Sequence, residues 1–179
     1  MKFSQTPLHG AWLIEPERNV DVRGAFFRTF CADEYTAIGL DPGMAQCSVS
    51  YNVRAGTLRG MHFQAQPHAE TKVVRVQRGA IWDAIVDLRR ESPSYRAWFG
   101  VELSADNARS LYVPKGFAHG FITLADDTEV HYQISTAYVA AASRGIRWSD
   151  PTIAISWPRE PVVISERDCA LPLLSEGAP

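Results

Sequence analysis

A histidine and an arginine stand in the strand-like stretch TLRGMHFQ (57–64), where a β-rich chain would build its core. The imidazole of His62 could carry protons near neutral pH or bind a metal. A second histidine, His119, has a similar glycine- and aromatic-rich setting in FAHGF (117–121). A lone histidine in a strand is usually structural, whereas two in the same setting favour a shared site. From the residues alone, both interpretations stay open.

Two further polar side chains share a face with apolar residues of predicted strands. Lys72 alternates onto the face of two valines, and Tyr132 lies between Val130 and Ile134. Lysine is almost never fully buried without a partner. Lys72 therefore either reaches water from an edge position or points into a barrel, where it would stabilise developing negative charge. Tyr132 is either a core residue with a satisfied hydroxyl or a proton donor.

A metal site is the first alternative to acid–base chemistry. PKGFAH (114–119) has the form P-x-G-x-x-H, the second metal-binding motif of cupin proteins. Their first motif, H-x-H followed by a glutamate, is degraded to His62-Phe63-Gln64, and an amide is a weak transition-metal ligand. Glu70 could replace the glutamate, but the ammonium of Lys72 would repel a cation. We expect no metal and no cofactor, which leaves His62 available for proton transfer.

The stretches that carry these residues are short predicted strands. The segment 71–89 alternates on both sides of a turn at Gly79, and 110–124 contains two strands broken at Pro114-Lys115-Gly116. Another strand is predicted in TEVHYQISTAYV (128–139). Many short strands with glycine and proline between them predict a mostly β fold, a sandwich or barrel of the jelly-roll type.

The two ends of the chain are predicted to carry short helices. RGAFFRTFCADEYTAIGL (23–40) begins like a strand and ends like a helix, with Gly39 as C-cap. The proline-rich segment 151–174 is expected to wrap the surface, with one or two short strands and a short helix. Because there is no repeat and no linker, residues 1–179 are predicted to form a single domain.

Composition narrows the function classes. Hydrophobic residues make up 46% and charged residues 21%, and the net charge of −2 indicates neither a nucleic-acid nor a membrane partner. No run approaches the ~20 apolar residues of a membrane span, and no signal peptide is evident. The three cysteines fit no zinc pattern and are expected to be reduced thiols. We therefore expect a cytoplasmic protein.

Seven segments together resemble the dTDP-4-dehydrorhamnose 3,5-epimerase family, in the family's order and over nearly the whole chain. They are DVRGAFFRTF (21–30), GTLRGMHFQ (56–64), KVVRVQRGAIWDAIVDLR (72–89), YVPKGFAHGF (112–121), EVHYQ (129–133), RGIRWSDPTIAISWP (144–158) and SERD (165–168). The resemblance implies a metal-free, cupin-type jelly-roll β-barrel that forms homodimers. It also implies a thymidine diphosphate 4-keto-6-deoxy sugar as substrate, inverted at C3 and C5.

The resemblance also implies catalytic roles. His62 matches the base, and Asp168 matches the carboxylate that orients it and should raise its basicity. Lys72 matches the cation beside the C4 oxygen, where charge develops. Tyr132 matches the acid that returns a proton from the opposite face.

Further matching positions are implied to bind the substrate, with Arg23 reaching the diphosphate from the partner subunit. These positions are Arg23, Phe26, Arg28, Gln46, Ser48, Arg59, His119 and Tyr138. Tyr138 would stack on the base, as an aromatic residue does in relatives, unless it is an ordinary strand residue.

Two positions depart from the family pattern at the nucleotide end of the implied site. Arg28 replaces a glutamate and Ser48 replaces an asparagine. These changes leave open the same chemistry on another nucleotide or heptose derivative, and the residues do not decide between C3, C5 or both carbons. More distant alternatives are a metal-dependent cupin oxygenase or isomerase, and a sugar-binding cupin without activity. Binding alone would not require a base and an acid.

Overall fold

The computed structural model describes residues 1–174, and most of their regular structure is short β-strands. The strands are β1 (Lys2–Gln5), β2 (Trp12–Glu15), β3 (Asn19–Asp21), β4 (Gly24–Phe26), β5 (Gln46–Asn52), β6 (Thr57–Gln64), β7 (Lys72–Arg78), β8 (Ala80–Asp87), β9 (Trp98–Ser104), β10 (Ser110–Val113), β11 (Phe117–Thr123), β12 (Thr128–Ile134), β13 (Ser143–Gly145) and β14 (Val163–Ile164). The predicted mostly β fold is confirmed. The single domain over 1–179 stays a prediction, and residues 175–179 lie outside the described residues.

Two antiparallel sheets face each other across one apolar core. The first has the order β1-β2-β10-β7-β12-β5, and the second has the order β13-β6-β11-β8-β9. Strands that are neighbours in a sheet are often distant in the chain, as in a jelly roll. Side chains from both sheets form the core, among them Val74 and Val130 from the first sheet and Ile85 and Phe121 from the second.

The alternation predicted for β7 and β8 is confirmed, and Gly79 between them has the left-handed φ of +77° that favours glycine. Ile81 and Ile85 of β8 point into the core between the sheets. Asp83, two residues from each of them, shares this inward face and is fully buried. A buried carboxylate on a core face requires a partner, which His119 supplies in the cavity described below.

The predicted N-terminal helix is α1 (Ala32–Ala37), and it packs on the outside of the first sheet through Tyr35. Gly39, with φ +79°, follows the C-cap. Its amide donates to the Thr36 carbonyl and the next amide donates to the Tyr35 carbonyl, the two bonds of a Schellman motif. Neither α1 nor the second helix of residues 1–174 is long or apolar enough to cross a membrane.

The C-terminal segment covers the outside of the second sheet, as predicted. Ile153 and Leu174 pack against outward-facing residues such as Met61 and Val86. Strand β14 then runs parallel to β6, and helix α2 (Glu166–Cys169) follows directly. Because β14 is fixed to β6, α2 is placed beside the strand that carries His62.

Strands β3 and β4 form a hairpin that pairs only with itself among the described strands. Its apolar side chains are exposed rather than packed on the core: Val20, Val22 and Phe26. The hairpin therefore leaves these apolar side chains without cover from the core of its own chain.

Candidate active site

A cavity of about 460 Å³ opens between the two sheets, within the size range of small-molecule sites. Its walls come from strands of both sheets, chiefly β5, β7 and β12 on one side and β6 and β11 on the other. Eight of the twelve predicted site residues line it: Gln46, Ser48, Arg59, His62, Lys72, His119, Tyr132 and Tyr138. The two histidines singled out by their sequence setting therefore share one site.

His62 is paired with Asp168, which lies 106 residues further along the chain. The imidazole Nε2 is 2.7 Å from the Asp168 carboxylate Oδ1, and Asp168 is buried. The other carboxylate oxygen accepts a hydrogen bond from the amide of Gly60 at 3.2 Å. Because a carboxylate only accepts hydrogen bonds, Nε2 is the protonated nitrogen of neutral His62, and Nδ1 keeps its lone pair.

Burial sets the protonation state of His62. It lowers the pKa of the imidazole below its ordinary value, and the hydrogen bond to Asp168, which acts in the expected upward direction, offsets only part of this. The ammonium of Lys72 lowers the pKa further. His62 is therefore neutral at pH 7 and able to accept a proton.

A bulge in β6 brings Arg59 and His62 to the same cavity. Across the β6–β11 pair, His62 is opposite His119 and Arg59 is opposite Phe121. A step of three residues along β6 therefore matches a step of two residues along β11. Strict alternation would place residues three apart on opposite faces, and the extra residue reverses this. Gly60 sits in the bulge with φ +143°, and a Cβ there would lie within 2.5 Å of the β11 backbone.

Tyr132 lines the same cavity as His62, from the opposite sheet. Its ring meets the ring of His119 edge-on, with 5.9 Å between centroids. Burial raises the pKa of the Tyr132 phenol, and the Asp83 carboxylate adds to this, while Arg59 lowers it. The phenol therefore keeps its proton throughout the neutral pH range.

A second imidazole–carboxylate pair lies behind Tyr132. The Nε2 of His119 is 2.7 Å from Asp83 Oδ1, and both side chains are buried. Sequence reasoning missed Asp83 as a site residue. The available signal was its position between Ile81 and Ile85, on the inward face of a strand.

Lys72 points into the cavity, and the alternative of an edge position is wrong because β7 lies between β10 and β12. Its Nζ is 2.9 Å from the Glu70 carboxylate and 3.4 Å from the His62 carbonyl oxygen. Among residues 1–174, no three His, Cys, Asp or Glu side chains cluster to hold a metal ion. The metal-free site stays a prediction, and a cation would have to displace the ammonium already bound to Glu70.

The rim of the cavity carries the remaining predicted contacts. Tyr138 is exposed, and its amide donates to the Gln46 side chain at 3.2 Å. Ser48 lies opposite Tyr132 in the β5–β12 pair. Arg167 also lines the rim and was missed, although it directly precedes Asp168 in the SERD segment. Its guanidinium donates to Ser143 at 2.8 Å.

Three predicted substrate contacts lie outside the residues that line this cavity. Arg23 and Phe26 are exposed on the β3–β4 hairpin, where Arg23 forms an ion pair with Asp21. Arg28 follows the hairpin, and its guanidinium binds Glu34 of α1 at 2.7 Å. One copy of the chain therefore does not bring these three residues to its own cavity.

A sequence model described as dTDP-4-dehydrorhamnose 3,5-epimerase matches residues 5–176. The chain belongs to this epimerase family. The epimerase of that name from Methanothermobacter thermautotrophicus is 45% identical over 170 residues, covering 93% of this chain and 91% of the relative. The dTDP-4-dehydrorhamnose 3-epimerase of Streptomyces niveus is 37% identical over 178 residues, covering 99% of this chain and 86% of the relative.

A solved structure of the epimerase family has the same fold. The crystal structure of dTDP-4-dehydrorhamnose 3,5-epimerase from Bacillus anthracis, with TDP and PPi bound, matches with a TM-score of 0.94 and 44% identity. The match covers 97% of this chain and 99% of that chain. The predicted membership of the epimerase family, and with it the predicted jelly-roll fold and isomerase class, is confirmed.

Proposed function

We propose that this chain epimerises a thymidine diphosphate 4-keto-6-deoxy sugar at C3 and C5 by proton transfer through an enolate. The observation that carries the proposal is that one cavity holds a neutral, carboxylate-oriented imidazole from one sheet and a protonated phenol from the facing sheet. Inversion at carbon requires a base on one face and an acid on the other. His62 and Tyr132 supply these two groups.

The ketone at C4 acidifies the C–H bonds at C3 and C5. Nδ1 of His62 takes one of these protons, and the bonding electrons move to the C4 oxygen as an enolate. The ammonium of Lys72 offsets the charge on that oxygen. Tyr132 then gives its phenolic proton to the opposite face of the carbon, and the resulting phenolate and imidazolium exchange protons with water to regenerate the site.

The two pKa shifts support the assignment of base and acid. The imidazole is neutral because its pKa is lowered, and the phenol is protonated because its pKa is raised. When the surroundings lower the pKa of one group and raise the pKa of another, the first can act as base and the second as acid at the same pH. A binding protein without activity would have no need of this arrangement.

The proposed nucleotide and the proposed number of inverted carbons are inferred from the relatives. The Bacillus anthracis structure has TDP bound, which supports thymidine diphosphate. Ser48 lines the cavity and Arg28 lies outside the cavity of its own chain, so within one copy Ser48 is the departure that borders the site. The Streptomyces niveus relative is named a 3-epimerase, which keeps inversion of C3 alone as the alternative.

NMR in D₂O tests the proposed reaction. With dTDP-4-keto-6-deoxyglucose, we expect deuterium at C3 and C5 together with signals of the inverted sugar. Deuterium at C3 alone would assign the chain to the single-carbon alternative. The same sugar on uridine or guanosine diphosphate, assayed in parallel, reports base selection. No exchange with any of these sugars would contradict the proposed function.

We also propose that the chain forms a homodimer in which the β3–β4 hairpin completes the site of the partner. The side chain of Arg23 is 86% exposed, and the hairpin leaves Val22 and Phe26 without cover from their own core. The guanidinium of an arginine can donate two parallel hydrogen bonds to a phosphate group of a diphosphate. The proposal accounts for the absence of Arg23 and Phe26 from the cavity of their own chain.

Mixing two impaired variants tests the shared site. We expect Arg23→Ala to raise KM strongly, because a diphosphate contact is lost, while His62→Ala has no base. In a mixed dimer, one site combines His62 of one subunit with Arg23 of the partner subunit. Mixing equal amounts after mild unfolding should restore about a quarter of wild-type activity. No recovery, with light scattering showing monomers, would contradict the homodimer.

We also propose a cytoplasmic location for the chain. Cys31, Cys47 and Cys169 are free thiols, and the last two are exposed. Exposed free thiols suit a reducing compartment. Fractionation of cells that express a tagged chain would locate it.

A further inference from the structure

One buried charged group in the cavity has no part in the proton transfers described above. Glu70 lies two residues before Lys72, and each side chain is only 10% exposed. One carboxylate oxygen is 2.9 Å from the Lys72 ammonium. The other carboxylate oxygen accepts a hydrogen bond from the side-chain amide of Gln64 at 2.7 Å. Both oxygens of a buried carboxylate are thus engaged inside the cavity.

Gln64 is itself fixed by the backbone. Its side-chain oxygen accepts from the Val139 amide at 2.7 Å, and its side-chain nitrogen also donates to the carbonyl oxygens of His68 and Ala137 at 3.3 Å. Gln64 is buried at the end of β6. A continuous set of contacts therefore runs from the backbone through the Gln64 amide and the Glu70 carboxylate to the Lys72 ammonium.

We propose that Glu70, held by Gln64, is a positioning residue that fixes the Lys72 ammonium at the place where the enolate oxygen forms. The proposal rests on the proposed function, since it assigns Lys72 to that oxygen. A lysine side chain has a long flexible stem and ends in a compact charge, so it needs a partner to hold one geometry. Electrostatic stabilisation depends on such preorganisation.

The negative charge of Glu70 has a second consequence for the proposed substrate. An unpaired ammonium in a partly enclosed cavity would attract the most strongly charged part of the ligand, the diphosphate. Pairing with Glu70 reduces that attraction and leaves the ammonium a donor for a nearby oxygen. The carboxylate thereby favours binding with the sugar, rather than the diphosphate, beside Lys72.

Kinetics of two variants separate positioning from simple support of the fold. Glu70→Ala removes both contacts and is expected to lower kcat about tenfold or more, because a displacement of about 1 Å in a catalytic group can cost 10²-fold. KM should change less than kcat. Glu70→Gln has one acceptor oxygen for two donors, so it should recover part of the loss. The matched control Asp41→Ala breaks the exposed Lys115–Asp41 pair and should leave kcat unchanged.

The ammonium can also be observed directly, because the chain has only three lysines. The side chains of Lys2 and Lys115 are 72% and 52% exposed, so their ammonium protons exchange quickly with water. In protein labelled with ¹⁵N-lysine, we expect a distinct, slowly exchanging Lys72 ammonium signal, assigned by its loss in Lys72→Arg. Glu70→Ala should remove or displace it without altering the Lys2 or Lys115 signals.

The two measurements separate failure of this proposal from failure of the proposed function. An active wild type, with Glu70→Ala within twofold of its kcat and an unchanged Lys72 signal, would overturn the positioning role. If the wild type shows no exchange with any nucleotide sugar, the proposed function fails instead. The Lys72 signal, recorded without substrate, still reports whether Glu70 fixes the ammonium. If Glu70→Ala does not fold, Glu70→Gln carries both measurements.

Discussion

Replacing His62 with alanine is expected to abolish deuterium incorporation at both C3 and C5. In the proposed mechanism the imidazole that contacts the Asp168 carboxylate is the base for both carbons, so a single change should remove both exchanges. General base catalysis contributes about 10²- to 10⁴-fold, and we expect a loss at the upper end of that range. NMR in D₂O with the 4-keto-6-deoxy sugar measures both positions in one experiment.

His9→Ala is the matched control, because His9 is exposed and its hydrogen bonds to Ser94 and Arg89 are made by its backbone. It should keep wild-type exchange. A His62→Ala protein that retains exchange at either carbon would show that another group acts as base there. Binding of TDP, measured by calorimetry, should be nearly unchanged in His62→Ala, which separates loss of the base from loss of the fold.

The lowered pKa of His62 also determines how kcat/KM should fall at low pH. The base form is present above the pKa of the folded protein and is lost as pH falls through it. Because burial places that pKa below 6.5, more than half of the plateau value of kcat/KM should remain at pH 6.5, and the rest should be lost at lower pH. A decline already complete at pH 6.5 would contradict an imidazole base whose pKa is lowered.

Much of the fold follows from local rules that the sequence displays directly. The alternation in β7 and β8, the turn at Gly79 and the break at Pro114-Lys115-Gly116 are each confirmed. The helix before Gly39 ends where a glycine can adopt a left-handed conformation. These features depend on neighbours within a few residues, so composition and spacing are enough to predict them.

The site depends on contacts that spacing does not contain. Arg59 and His62 share a cavity only because of a bulge in β6, and simple alternation separates them. Asp168 reaches His62 because β14 pairs with β6, a contact between segments about a hundred residues apart. The family resemblance supplied both predictions. The resemblance did not identify Glu70 as the partner of Lys72, because this ion pair depends on where the two side chains lie in the fold.

Replacing Tyr132 with phenylalanine is expected to separate deprotonation from inversion. The base remains, so His62 still removes the proton and can return deuterium to the same face. Without the phenol, delivery to the opposite face should fall by about 10²-fold or more. The variant should therefore accumulate deuterium in the starting sugar with retained configuration, while the inverted sugar forms slowly. NMR distinguishes the two through coupling constants and residual proton signals.

Tyr138→Phe is the matched control, because Tyr138 lies on the exposed rim of the same cavity and no acid role is assigned to it. It should preserve the ratio of inversion to exchange. If Tyr132→Phe loses exchange to the same extent as His62→Ala, the phenol is needed for deprotonation itself and is not only the acid. If it inverts at the wild-type rate, the proton comes from another donor. The His119–Asp83 pair, whose imidazole meets the Tyr132 ring edge-on, would then be the next candidate to test.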